Sequence, residues 1–160
     1  MPIAAERFRS VLGSWATGVT IVTSREGAYL HGMTVSAFAS LSLDPPLVLI
    51  CTSKSSATGQ LIGRARVFAV NVLEQSQQEL SNLFASKARE EVRFEGLECD
   101  DGATGCPHIP GAVATLDCRV QSAVDAGDHC IYIGLVEAAE TNEAAPLLYY
   151  HGAYRKLADA

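Results

Sequence analysis

Short apolar, β-branched runs succeed one another along most of this chain, and each is closed by a turn signal. The first is Val19-Thr20-Ile21-Val22-Thr23-Ser24. Arg25-Glu26-Gly27-Ala28 then turns the chain into a second, glycine-interrupted strand region over residues 29–43. The two read as a hairpin that Asp44-Pro45-Pro46 closes, because proline lacks a ladder donor and restricts the residue before it. Residues 47–51 are apolar at every position, the pattern of a strand buried on both faces. Residues 67–73 predict another strand, and residues 114–124 alternate as a half-buried one. Ala126-Gly127-Asp128 turns into a partner over residues 129–136, and residues 147–150 end the sheet. Strands mostly follow strands here, which argues against a doubly wound parallel sheet, whose strands alternate with helices. The chain should be mainly β, a small antiparallel barrel of six or seven strands.

Two or three peripheral helices complete the expectation. Phe8, Val11, Leu12 and Trp15 fall on one stripe, predicting a helix over residues 4–16 that stops before Gly18. A short helix after the hydroxylated stretch 53–58 carries Leu61 and Ile62, and any of its serines suits an N-cap. Leu80, Leu83 and Phe84 share a face, which predicts a helix over residues 75–86. Residues 87–109 lose all periodicity and read as a long loop with at most one short strand. There Lys87, Arg89 and Arg93 could neutralise phosphates, but they are interleaved with Glu90, Glu91 and Glu95, the pattern of a solvated face.

With 160 residues, one domain spanning 1–160 is expected. A hydrophobic fraction of 48% against 19% charged residues excludes disorder. The longest apolar run, residues 45–51, is far too short to span a bilayer, so no membrane association is expected. The net charge of −6 repels phosphate backbones and argues against nucleic acid as a partner. No apolar stretch follows the N-terminal charges, and the five cysteines are odd in number without a Cys-x-x-Cys. Reduced thiols and a cytoplasmic location follow.

Familiar site signatures are missing: no Gly-x-Gly-x-x-Gly after a strand, no Walker loop, no His-Glu-x-x-His, no Gly-x-Ser-x-Gly. Cys99, Cys106 and His108 match no standard zinc spacing, so no metal is expected. What remains is small and hydroxylated residues at strand ends. Glycine and small side chains in His31-Gly32-Met33-Thr34-Val35-Ser36-Ala37 suit close approach of a ligand. Cys51-Thr52-Ser53-Lys54-Ser55 leaves a strand and opens a helix, where hydroxyls and backbone N–H groups can hold a phosphate monoester.

The order of the blocks carries more than any one of them. Ala16-Thr17-Gly18-Val19-Thr20-Ile21-Val22-Thr23, Gly32-Met33-Thr34-Val35-Ser36-Ala37-Phe38 and Ser42-Leu43-Asp44-Pro45-Pro46-Leu47-Val48 resemble the short-chain flavin reductase-like family. Ala69-Val70-Asn71-Val72-Leu73, Leu80-Ser81-Asn82-Leu83-Phe84-Ala85, Gly127-Asp128-His129 and Pro146-Leu147-Leu148-Tyr149-Tyr150 continue the likeness in the same order. It covers roughly residues 8–157.

The resemblance implies a split antiparallel β-barrel that binds FMN or FAD, as a homodimer, and reduces it with NADH or NADPH. Reduced flavin would then pass to a separate flavin-dependent monooxygenase. Relatives that keep bound FMN and reduce another acceptor, such as a corrinoid, and a non-catalytic flavin-binding module are the alternatives. By the same resemblance, Met33, Thr34, Val35, Ser36 and Ala37 would line the isoalloxazine and ribityl chain. Cys51, Thr52, Ser53, Ser55 and Thr58 would contact the ribityl and phosphate, and Asn71 would lie near the same pocket. Ser81, Asn82, Phe84 and Ala85 match a second phosphate- or adenylate-facing helix, and His129 the position beside the nicotinamide. Its role would be to orient that ring, since the cofactors themselves carry the hydride chemistry.

Overall fold

A computed structural model of the protein describes residues 1–158. Helix α1 (Ala5–Leu12) leads into a short strand β1 (Thr17–Gly18). Strands β2 (Thr20–Glu26), β3 (Tyr29–Val35), β4 (Phe38–Leu43) and β5 (Pro46–Ser53) follow. Helix α2 (Ala57–Ala65), strand β6 (Val67–Val72) and helix α3 (Gln78–Ala85) come next, then a 3₁₀ segment over Lys87–Val92. A two-residue ladder pairs β7 (Asp100–Asp101) with β8 (Pro107–His108). The long hairpin β9 (Ala114–Ala126) and β10 (His129–Thr141) precedes β11 (Leu148–Tyr150) and β12 (Ala153–Arg155).

Seven strands form one antiparallel sheet in the order β3-β2-β6-β9-β10-β5-β4. Its two edge strands, β3 and β4, are consecutive in the chain yet not paired with each other. The sheet curls until its edges approach and leaves a gap there: a split barrel. Residues 36 and 37 cross the gap, and the Ala37 carbonyl accepts a 3.0 Å hydrogen bond from the Cys51 N–H of β5. Residues 29–43 are therefore two strands on opposite sides of the split, with only β3 forming the expected hairpin with β2.

Turn chemistry holds both long hairpins in register. Glu26 pairs with Tyr29 and Ala126 with His129, which leaves the two-residue loops Gly27-Ala28 and Gly127-Asp128. Both leading glycines sit at φ +61°, the left-handed region that primed hairpin turns demand and that glycine enters without steric cost.

The interior cluster joins Val22, Val48, Ile50, Phe68, Val70 and Val120 with Ile62 of α2, which plugs one end of the barrel. A second cluster under α3 holds Ile21, Leu73, Phe84, Ile109 and Leu147. Strand β5 is not buried on both faces: only alternate residues, Val48, Ile50 and Thr52, are interior. The doubly buried strands are β2 and β6, because α3 and the segment following it cover the outer face of the middle of the sheet. Helix α1 ends at Leu12, four residues early, and its stripe stays exposed, with Trp15 at 76%. Residues 147–150 do not close the barrel either; β11 joins β1 and β12 in a separate three-stranded sheet.

Candidate functional site

Three clefts run along the split. The first, of about 310 Å³, lies between the N-terminus of α2 and the C-terminus of α3 and is lined by Met33, Thr34, Ser53, Ser55 and Thr58 among others. The second, of about 370 Å³, shares Thr34 and Ala85 with it and adds Ser36, Ser81, Asn82 and Tyr154. The third, of about 740 Å³ and more apolar, shares Ser36 and Tyr149 with the second and reaches Ala37, Cys51 and Trp15. Thr34 and Ser36 are thus the joints of one continuous groove, placed there because β3 stops at Val35 and the chain crosses the gap.

Strand alternation sorts the sequence candidates. Thr34 points out of the barrel and its hydroxyl donates to the Ser81 carbonyl at 2.6 Å, tying β3 to α3. Val35 points inward and belongs to the core, so its side chain is not in the groove. Cys51 and Ser53 face outward from β5, whereas Thr52 is buried between them. Asn71 is a plain correction. Its amide is fully buried and donates to the Ile21 carbonyl at 3.0 Å, while its oxygen accepts from the Ile109 N–H at 2.8 Å. Complete burial keeps the side chain out of the groove, and it pins the loop before β9 onto β2.

At the α2 end the serines divide their work. Ser56 is the N-cap, accepting from the Gly59 N–H at 2.9 Å, and this frees Ser53 and Ser55, whose hydroxyls lie 3.0 Å apart in the cleft. Two oxygens, a helix N-terminus and the Lys87 side chain form a setting for an anion. Beneath it, Thr58 shares a 2.7 Å hydrogen bond with His31 Nδ1. Burial, and then the charge of Arg93, hold His31 below its ordinary pKa, with Glu90 opposing. Phe84 lines the cleft but is fully buried against Phe94, edge to face at 5.1 Å, so it shapes the wall.

Other features lay outside the sequence reading. Tyr154 bonds Ser81 Oγ at 2.8 Å and donates to Asn82 Oδ1 at 3.0 Å, clamping the α3 wall from β12. The Tyr149-Tyr150 block was in view, but nothing local marked Tyr154 as its cross-strand partner. Arg93, read as solvated, is in fact buried. Cys51 stays a thiol, its pKa raised by burial first and by Cys130 second. His108, considered for zinc, lies 2.7 Å from the buried Asp117 carboxylate instead. Among the described residues no group of three or more His, Cys, Asp or Glu converges to hold a metal.

His129 starts β10 opposite Ser53 of β5. Its Nδ1 lies 2.7 Å from Asp128 Oδ1, and this hydrogen bond, followed by the imidazole charge, keeps the Asp128 carboxyl below its ordinary pKa. The ring is half exposed beside the cleft rather than in its wall. The fold thus delivers a barrel with a groove along its gap, flat and small-sided at Ser36–Ala37, hydroxylated and cationic at α2.

That class of barrel has known members. The flavin reductase like domain family matches residues 12–158, and the chain belongs to it. It is 40% identical over 153 residues, 95% of this chain and 77% of the relative, to the flavin-dependent monooxygenase reductase subunit HsaB of Rhodococcus jostii. It is 42% identical over 147 residues, 92% of this chain and 83% of the relative, to the FMN reductase (NADH) SmoA of Agrobacterium fabrum. The structure of the Streptomyces globisporus NADH:FAD oxidoreductase SgcE6 in complex with NAD and FAD fragments superposes with a TM-score of 0.90 at 34% identity, covering 99% of this chain and 98% of that one.

Proposed function

We propose that the protein is an NAD(P)H-dependent flavin oxidoreductase that supplies reduced flavin to a separate monooxygenase. The observation that carries this reading is the continuous groove along the split, with uncommitted hydroxyls at one end and small side chains at its centre. The solvent-facing Ser53 and Ser55 hydroxyls, bonded only to one another beside the α2 N-terminus, suit a phosphorylated ribityl tail. Thr34, Ser36 and Ala37, without bulk over the gap, suit a flat ring, and Met33 borders the cleft between α2 and α3. Ser81, Asn82 and Ala85 form the facing wall. A flavin held there would supply the hydride acceptor for a reduced nicotinamide. The protein's part is to hold two rings in contact and keep water out, which is catalysis by positioning. His129, oriented by Asp128 at the groove's edge, presents its ring to the nicotinamide.

The relatives' names support both the activity and the partner: one is a monooxygenase reductase subunit and another an NADH-dependent FMN reductase. FMN or FAD would serve as flavin, NADH or NADPH as donor, in the cytoplasm; no helix among the described residues is long and apolar enough to cross a membrane. A homodimer would cover the apolar third cleft, where Leu12, Trp15, Phe38 and Leu49 are gathered. Titration of FMN and FAD should quench flavin fluorescence with micromolar or tighter affinity and raise the melting temperature. No change with either flavin overturns the reading. Light scattering should give twice the 17.0 kDa of one chain, and the mass of a single chain at micromolar concentration removes the dimer.

A further inference from the structure

Arg93 lies under the cleft between α2 and α3, with a side chain only 3% exposed. Its Nη1 donates to the Gly32 carbonyl at 2.8 Å and its Nη2 to the Ser86 carbonyl at 2.9 Å. Gly32 precedes Met33 and Thr34 on one wall, and Ser86 follows Ala85 on the other. One guanidinium therefore ties the two walls together. Gly32 has to be glycine for this, since a Cβ there would lie 2.9 Å from the Phe84 ring and 3.2 Å from that of Phe94.

The clamp leaves the charge incompletely answered. Among the described residues the carboxylate that reaches it is Glu90, at 3.5 Å and itself partly exposed, and the Arg93 Nε is buried without a hydrogen-bond partner. A guanidinium stays protonated in proteins, and a charge taken out of water is costly unless it is paired. Lys87 and the α2 N-terminus border the same space, where Glu90 is the one carboxylate among the described lining residues and faces two cations, Lys87 and Arg93. A site with this balance gains by admitting an anion. Coulomb attraction is stronger here than at a solvated surface because the effective dielectric is lower.

We propose that Arg93 is a positioning and specificity-determining residue: acting through space from beneath the cleft, its buried charge makes the site select phosphorylated flavins over riboflavin. The proposal rests on the reading that a flavin's tail enters between α2 and α3. The Arg93 side chain lies at the floor of the cleft and is all but closed off from solvent. Its clamp sets the spacing of the walls for any flavin, and its charge favours only those carrying phosphate.

The test measures dissociation constants of FMN and riboflavin by fluorescence for the wild type, Arg93→Met and Glu90→Gln, together with melting temperatures. Wild type should bind FMN at least tenfold more tightly than riboflavin. Arg93→Met should lower that ratio at least fivefold, and inorganic phosphate should compete with FMN in the wild type much more than in this variant. Glu90→Gln removes the opposing charge and should raise FMN affinity about threefold with riboflavin unchanged, which keeps the test open if Arg93→Met does not fold. A ratio unmoved in Arg93→Met, or in Glu90→Gln if that is the one that folds, overturns the proposal and leaves a structural clamp. Wild type that binds neither flavin fails the flavin reading itself.

Discussion

Polar groups on the two sides of the barrel are treated in opposite ways. Under β6 and β9 they are bonded within the chain: the Asn71 amide donates to one backbone carbonyl and accepts from one backbone N–H, and the Asp117 carboxylate accepts from the Thr104 hydroxyl at 2.7 Å and lies 2.7 Å from His108. Along the split they are left open, with the solvent-facing Ser53 and Ser55 bonded only to one another and the buried Thr52 Oγ1 and Arg93 Nε to nothing. Buried polar groups are normally satisfied, so the unpartnered Thr52 Oγ1 and Arg93 Nε close to one cleft point to something that is meant to arrive. The difference separates two readings of the same residue types: a hydroxyl or amide whose partners are all in the chain holds the fold, and one without partners awaits a ligand.

The strongest challenge to this contrast is Asn71→Leu. It strands the Ile21 carbonyl and the Ile109 N–H in the interior, and each buried group left unpaired costs about 1–3 kcal/mol. Urea denaturation should register a loss of about 3 kcal/mol, while the folded fraction binds flavin within about twofold of wild type. Loss of flavin affinity at intact stability would put Asn71 back in the site.

His129→Ala should do the reverse. With flavin saturating, kcat/KM for the reduced nicotinamide should fall roughly 10- to 100-fold, about 1.4–2.7 kcal/mol of transition-state binding. Flavin affinity should move less than about threefold, because the residue stands beside the cleft. Unchanged NADH and NADPH kinetics remove it from the site.

A sharper probe uses two adjacent serines. Ser56→Ala loses the α2 cap and should cost about 1 kcal/mol in thermal or chemical denaturation. Ser55→Ala should leave stability within about 0.5 kcal/mol, since surface substitutions away from such features rarely cost more, and should weaken FMN instead. Equal stability losses would mean that both serines serve the helix.

The smallest effect is the pH dependence at His31. Its pKa in the folded protein lies below the ordinary 6.5, so as pH falls the unfolded chain takes up its proton first. Stability is therefore full above about pH 6.5 and declines as pH drops toward the folded value. His31→Gln should lose this component, so the difference in urea midpoint between the two proteins should narrow from pH 7.5 to 5.5. Parallel profiles would show that the imidazole titrates alike folded and unfolded.

The residues differ in how plainly the sequence spoke for them. Gly27 and Gly127 marked their turns because a two-residue hairpin loop makes a local demand on φ, visible within four residues. Leu61 and Ile62 announced α2 by their place after the hydroxylated stretch, and both are fully buried. Met33, Thr34, Ser36 and Ala37 came from the resemblance, and the fold brings all four to the groove, while Val35 among them turns inward. Asn71 and Arg93 were misread for one reason: burial of a polar side chain is decided by what packs on it from elsewhere in the chain. For Asn71 those groups are Ile21 and Ile109, and for Arg93 they are Gly32 and Ser86.

By itself the sequence determined the order of strands and helices, the two glycine turns and membership in the family, all properties of short blocks and their succession. Only the tertiary structure decided which face of each strand is covered, and so that β2 and β6 rather than β5 are buried on both sides. It also placed the split at Ser36–Ala37, divided the serines between cap and cleft, and set Tyr154 against Ser81. Those outcomes depend on contacts between residues tens of positions apart, and local periodicity carries no record of what will lie on the other side of a side chain.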